Sequence, residues 1–164
     1  MMELNQDYKY NAGLKERMVL IAFRVSNQIA VKKKSNPLIW ILGLPVLVLY
    51  RICIEWMLGI EIPAKTKIGR GLGLRHGQGL VIHPEAIIGS YVTLRHCTTI
   101  GNKNGPDGPT KPPVIEDGVD IGCHVVIIGN INIGAGSCIG AGSVVIKDVP
   151  PGSVVVGNPA KPIN

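Results

Sequence analysis

From residue 61 onward, aliphatic side chains return at every sixth position, in three runs. Ile115, Ile121, Ile127, Ile133, Ile139 and Val145 keep the interval without a slip, as do Ile82, Ile88, Leu94 and Ile100, and before them Ile62, Ile68 and Leu74. Gly follows the aliphatic residue at 69, 89, 101, 122, 134 and 140. A helix of 3.6 residues per turn cannot hold every sixth residue on one face. Strand alternation can, and a bend after each short strand then points each aliphatic residue at one axis. The pattern predicts a mainly β chain wound as a parallel β-helix of hexapeptide repeats. Composition agrees: 21 glycines, 12 prolines and only 4 % aromatic residues supply turns but too few large rings for an ordinary compact core.

The interval breaks twice. Leu74 and Ile82 stand eight residues apart, and Ile100 and Ile115 fifteen. The second break is an extruded loop, 102–113, NKNGPDGPTKPP, too rich in Gly and Pro for strand. A regular coil needs no insertions for stability, and those it carries often build a site. Three hexads make a coil of eighteen residues. Adding the two inserted residues gives the twenty that separate Leu74-Arg75-His76 from Leu94-Arg95-His96. His76 and His96 each follow a core aliphatic by two positions. They are predicted to stack on one outer face in successive coils, about 4.8 Å apart along the axis, with Arg75 and Arg95 as a parallel row beside them.

Residues 1–60 read differently. Leu14, Met18, Ile21, Ala22, Val25 and Ile29 recur at helical spacing, with Lys15, Arg17 and Arg24 between them. After the basic stretch Lys32-Lys33-Lys34 comes LIWILGLPVLVLY, 38–50, which carries no charge. That run is too short to cross a bilayer and contains Pro45; extending it to residue 58 would place Arg51 and Glu55 in lipid. A helical hairpin is expected, packed on the coil or a neighbouring subunit, or resting on the inner membrane face with its lysines at the headgroups. The net charge of +6, much of it in the N-terminal third, favours an anionic partner. The cysteines at 53, 97, 123 and 138 form no CxxC pair and read as reduced thiols of a cytoplasmic protein, and no signal peptide is evident.

The stretches EIPAKTKIGRGLGLRHGQGLVI, TTIGN and IGAGSVVIKDVPPGSVVVGNPAKPI, together with the Ile-Gly hexads, resemble the hexapeptide-repeat acyltransferases of the serine acetyltransferase superfamily. Within it, MVLIAFRV, PVLVLYRICIEWMLGIEI and RHCTTIGN are similar to bacterial polysaccharide O-acetyltransferases of the colanic acid type. The resemblance implies a left-handed coil at 61–164 behind the helical region 1–60. It implies a homotrimer, acetyl-CoA in a groove between coils, and a saccharide acceptor. It implies neither a metal nor a nucleic acid, and a cytoplasmic place, peripheral at most to the inner membrane. His76 matches the family's catalytic histidine, and Glu61 falls where the family has the aspartate paired to it. A neutral imidazole of pKa ~6.5 can take the proton that an alcohol must lose as it attacks a thioester, and a carboxylate on its other nitrogen steadies the imidazolium. By position, Gly101, Asn102, Cys123, Gly140, Ala141 and Ser143 would meet the cofactor, with Lys147 and Lys161 at its phosphates. His96, Arg75, Arg95 and Lys111 would meet the acceptor.

Three departures bear on that acceptor. Where serine acetyltransferases carry a second active-site histidine after the loop, this chain has Pro112, and Lys111 replaces the preceding arginine. The aspartate before the catalytic histidine, which helps hold the amino group of serine, is Arg75. A sugar hydroxyl is therefore favoured over serine; a serine O-acetyltransferase and a non-catalytic trimeric scaffold are the alternatives. His83, before Pro84, reads as structural, and His124 as lying near the cofactor groove. Cys97 should face away from His96 by alternation and be buried as a small hydrophobe, not serve as an acetyl carrier. The four histidines lack the spacing of a carbonic-anhydrase-like metal site.

Overall fold

The computed structural model describes residues 2–33, 35–105 and 108–163; Lys34 of the basic stretch and Pro106 and Asp107 of the extruded loop lie outside the described residues. The chain is a left-handed parallel β-helix of about five turns with helices at its N-terminal end. The first coil runs through β1 (Ile60–Glu61), β2 (Lys67–Ile68) and β3 (Gly73–Arg75), and the second through β4 (Leu80–Ile82), β5 (Ile87–Ile88) and β6 (Thr93–Arg95). The third runs through β7 (Thr99–Gly101), the loop strands β8 (Asn104–Gly105) and β9 (Gly108–Pro109), then β10 (Val114–Ile115) and β11 (Asp120–Ile121). The fourth uses β12 (Val126–Ile128), β13 (Asn132–Ile133) and β14 (Cys138–Ile139), and the fifth β15 (Val144–Val145) and β16 (Val154–Gly157), with Val149 bridging to Ile133 between them. Strands stack into three faces: β1-β4-β7-β12-β15, then β2-β5-β10-β13, then β3-β6-β11-β14-β16.

The hexads become three internal columns. Ile82, Ile100, Ile127 and Val145 stack in register, as do Ile68, Ile88, Ile115 and Ile133, and Leu74, Leu94, Ile121, Ile139 and Val155. All are buried. Each such side chain contributes about 1.5–3 kcal/mol by leaving water, so the repeat is itself the core. Coils approach closely at the corners: a Cβ on Gly122 would come within 2.5 Å of the Ala141 backbone nitrogen, which is why the residue after the aliphatic one is so often Gly. The extruded loop corrects one expectation. Despite its composition it forms a short antiparallel pair, Asn104 opposite Pro109 and Gly105 opposite Gly108.

A β-helix leaves unpaired backbone groups on its first coil, and such an edge must be covered. The helical region consists of α1 (Met2–Tyr10), α2 (Leu14–Val31), α3 (Pro37–Leu42), α4 (Leu44–Tyr50) and a π-helical segment, Arg51–Met57, and side chains of α1, the turn after it, α2 and α4 cover the edge. The Asp7 carboxylate accepts from Leu72 N–H at 2.9 Å. The Asn11 amide behaves as a short strand, accepting from Leu74 N–H at 2.8 Å and donating to the Leu72 carbonyl at 2.7 Å. Arg24 donates to the Ile68 and Gly69 carbonyls and pairs with Asp7 at 2.7 Å. Asn27 donates to the Ala64 and Thr66 carbonyls, and Tyr50 Oη to that of Ile62. The ion pair is held out of water, Asp7 1 % and Arg24 4 % exposed.

On α2 Val19, Leu20 and Phe23 are buried. Of the spaced apolar residues, Leu14, Met18, Ile21 and Val25 face outward, while Ala22 and Ile29 are half-buried, Ala22 against the core. The uncharged run does not form one kinked helix. It breaks at Gly43, with Asn36 capping α3 by accepting from Ile39 N–H and with Pro37 and Pro45 in the first turns of α3 and α4, where proline is tolerated. No helix among the described residues is long and apolar enough to cross a membrane. At the other end β17 (Ala160–Pro162) folds back antiparallel on β16.

Candidate active site

The prism edge that joins the third face to the first is built from turns with left-handed backbone. After β3 the chain leaves through His76 (φ 66°), Gly77 (φ 59°) and Gly79 (φ 67°); after β6 through Cys97 (φ 56°); after β11 through His124 (φ 56°). Non-glycine residues in such conformations cost about 1–3 kcal/mol each and persist where the surrounding structure over-determines them. Here it does: Cys97 N–H donates to the Gln78 carbonyl at 2.8 Å, His124 N–H to the His96 carbonyl at 3.1 Å, and Gly142 N–H to the Cys123 carbonyl at 2.9 Å. Four successive turns are thus fixed one above another.

Three imidazoles line this edge. Arg75 pairs with Arg95 in register, which carries His76 beneath His96 as the spacing predicts, with ring centroids 6.2 Å apart at 67°. The column then continues to His124, 5.2 Å from His96 at 86°. His124 stands three positions after its core aliphatic Ile121, not two, and the left-handed turn brings its ring back into line. The rings meet edge to face, and among the described residues no set of His, Cys, Asp and Glu is arranged to hold a metal ion. His76 and His124 are exposed and His96 half-buried. The Gln78 amide lies between the His76 carbonyl and the Lys15 ammonium, so α2 reaches this corner.

The other site candidates divide. Glu61 points outward from β1, exposed, and makes no hydrogen bond or ion pair among the described residues. Arg95 is committed to Asp120 and to the Ile121 carbonyl (2.8 Å), and its hydrogen bond to the Asp120 carboxylate holds the guanidinium above its ordinary pKa. Asp120 is a partner that the sequence alone did not reveal. Arg75 makes a long bond to the Tyr10 carbonyl, at 3.4 Å, and its guanidinium stands 6.0 Å over the Tyr10 ring. Lys111 is exposed at the end of the loop. Cys123, Gly140 and Ala141 continue the histidine edge upward. Gly101 at the end of β7 and Asn102 after it, and Lys147 after β15, lie on the edge between the first and second faces, and Lys161 lies on β17. The Ser143 hydroxyl is buried and accepts from Gly157 N–H, so it is not offered to a ligand. His83 accepts at Nδ1 from Glu85 N–H, a local turn contact. Cys97 does not obey strand alternation, because it sits in the turn itself, half-buried.

Comparison with known proteins places this geometry. No protein-family profile matches the chain. It is 39 % identical over 157 residues, 95 % of its own length and 96 % of the relative's, to a protein of Escherichia coli K12 named as a colanic acid biosynthesis acetyltransferase, WcaB. It is 40 % identical over 149 residues to serine acetyltransferase 4 of Arabidopsis thaliana, covering 90 % of this chain but 39 % of that one. The structure of soybean serine acetyltransferase complexed with serine superposes with a TM-score of 0.71 at 34 % identity, covering 92 % of this chain and 58 % of that one. The chain therefore spans well under two thirds of these two serine enzymes. A repeat that winds as theirs does and identity sustained along 96 % of the Escherichia coli relative converge: this chain belongs to the hexapeptide-repeat acyltransferases of the serine acetyltransferase superfamily and is an acetyl-transferring enzyme.

Proposed function

We propose that the chain transfers acetyl from acetyl-CoA to a sugar hydroxyl of a bacterial surface polysaccharide or its precursor, on the cytoplasmic side, with His76 as general base. The observation that carries this reading is His76 itself: exposed, held in a left-handed turn and placed at the foot of an edge that rises through His96 and His124 to the small residues Gly140, Ala141 and Gly142. In the reaction the acceptor oxygen forms its bond to the thioester carbonyl carbon as His76 takes the hydroxyl proton. The tetrahedral intermediate collapses, the carbon–sulfur bond breaks, and the imidazolium returns the proton to the leaving thiolate. Glu61 serves as the carboxylate that steadies the imidazolium.

The cofactor candidates sit on two prism edges flanking the first face. That face presents Val81, Val126, Ile128, Val144 and Ile146 outward. A homotrimer packed through it would bring one copy's histidine edge toward another copy's Gly101, Asn102 and Lys147, closing an acetyl-CoA groove between subunits. Serine acetylation is the second reading, favoured by the likeness to the soybean enzyme. Arg75 and Pro112 speak against it, since a cation beside the base repels an ammonium group. The test is release of CoA from acetyl-CoA with saccharide acceptors and with L-serine. Turnover with sugar, lost in His76→Ala, is expected; robust turnover with serine alone would replace the acceptor, and transfer unchanged in His76→Ala would remove the base.

A further inference from the structure

The cap carries an apolar surface that no part of the described chain covers. Most of the α2 stripe is turned outward, with Leu14 74 % and Met18 61 % exposed, and on α3 and α4 Leu38, Ile41, Leu42 and Leu49 are exposed as well. An open apolar groove of about 280 Å³ between α2 and α4, lined by Val25, Val46, Leu49 and Cys53, joins the two sets into one surface. Charge is concentrated in the same place. Residues 1–58 hold eight Lys and Arg against four Asp and Glu, a net +4 of the chain's +6, with Arg24 and Asp7 buried as a pair and so absent from the surface. Lys32 and Lys33 are exposed at the turn leaving α2, Lys33 Nζ standing 4.7 Å over the Trp40 ring, and Arg51 is exposed at the end of α4. An apolar face rimmed by cations and one half-buried indole matches what a helix lying in a lipid interface presents.

We propose that the cap seats the enzyme on an anionic bilayer surface, with the α2 stripe and α3–α4 in the interface and Lys32, Lys33 and Arg51 at the lipid phosphates. A second copy is the poorer occupant, since two such faces would set the exposed Lys32, Lys33 and Arg51 of one against those of the other and offer only Glu16 and Glu55 in return. The inference goes beyond the acetyl-transfer reading and does not depend on the acceptor. It puts the base of the prism, where His76 lies, toward the lipid.

The experiment is flotation of the full chain with vesicles of phosphatidylcholine alone and of phosphatidylcholine mixed with phosphatidylglycerol, read without acetyl transfer. Both tryptophans of the chain, Trp40 and Trp56, lie in the cap, so their emission reports it directly. Flotation with the mixed vesicles and a blue shift are expected, weakened at least about tenfold by Lys32→Glu with Lys33→Glu. Leu38→Ser with Leu42→Ser, both at exposed positions, should reduce flotation while leaving the thermal melt in place. Absence of flotation with either vesicle overturns the proposal, as does equal flotation of the charge-reversed protein, or a blue shift that grows with protein concentration in the absence of vesicles.

Discussion

The coil and its cap are stabilised by opposite means. In the coil every rung satisfies the backbone of the next, and each internal aliphatic meets its equivalent above and below. In the cap nothing repeats: Asp7, Asn11, Arg24, Asn27 and Tyr50 each meet a different backbone group of the first coil. Repetition builds a core cheaply but cannot end itself, because the last rung always lacks a partner. The ending has to be made of singular contacts, and singular contacts are where one substitution does most harm.

That contrast can be tested from both sides. The largest effect should be functional and lie in the coil: His76→Ala should lower acetyl transfer about 10²–10⁴-fold with the melting temperature unchanged, since the ring is exposed. Arg24→Met should do the reverse. It strands the buried Asp7 carboxylate and leaves the Ile68 and Gly69 carbonyls unpaired, a loss of about 3–5 kcal/mol by denaturant unfolding. Should Arg24→Met prove neutral, the cap would be packed on the coil rather than bonded to it. Asn11→Leu keeps the size and removes the amide bonds to Leu72 and Leu74. About 1–3 kcal/mol for each group left unsatisfied is expected, measurable as hydrogen exchange opening first at Leu74, while the Leu72 amide stays on Asp7.

The smallest effect should belong to a similar bond made in the open. Glu116 accepts from Asn132 Nδ2 at 2.7 Å and from Ala135 N–H at 2.8 Å, and these bonds, the Asn132 one foremost, hold its carboxyl below the usual range. A carboxyl depressed in the folded state adds stability above its unfolded pKa of about 4.3, and that stability is lost as the pH falls through the folded value. Glu116→Gln should therefore flatten the acid limb of a melting-temperature profile and change little at pH 7. A large effect at neutral pH would show the coil to depend on singular side chains as much as the cap does.

The sequence made the periodic half of the molecule legible and left the rest obscure for the same reason. Ile82, Ile88 and Leu94 announce their faces because a period assigns them, and a two-residue insertion placed His96 over His76 by arithmetic alone. His124 escaped because a left-handed turn shifts it by one position. The bonds of Asp7, Asn11 and Arg24 to the first coil escaped because they span 44 to 65 residues with no period to betray them. The inner side of α2 escaped for a further reason. Most of its spaced apolar residues face outward and only Ala22 and Ile29 are half-buried, so hydrophobic spacing identified the helix but not the side that packs.

The Asn11 amide and the folded-back β17 have a consequence for how such a chain can grow. With a stop at each end, rungs cannot be added at the termini without dismantling the stop. Lengthening has to happen between them, where Val126 already lies eighteen residues from its equivalent Val144 and one more such segment would meet its own likeness on both sides. The tally of turns is therefore set by two small plugs, while the stack between them would accept another layer.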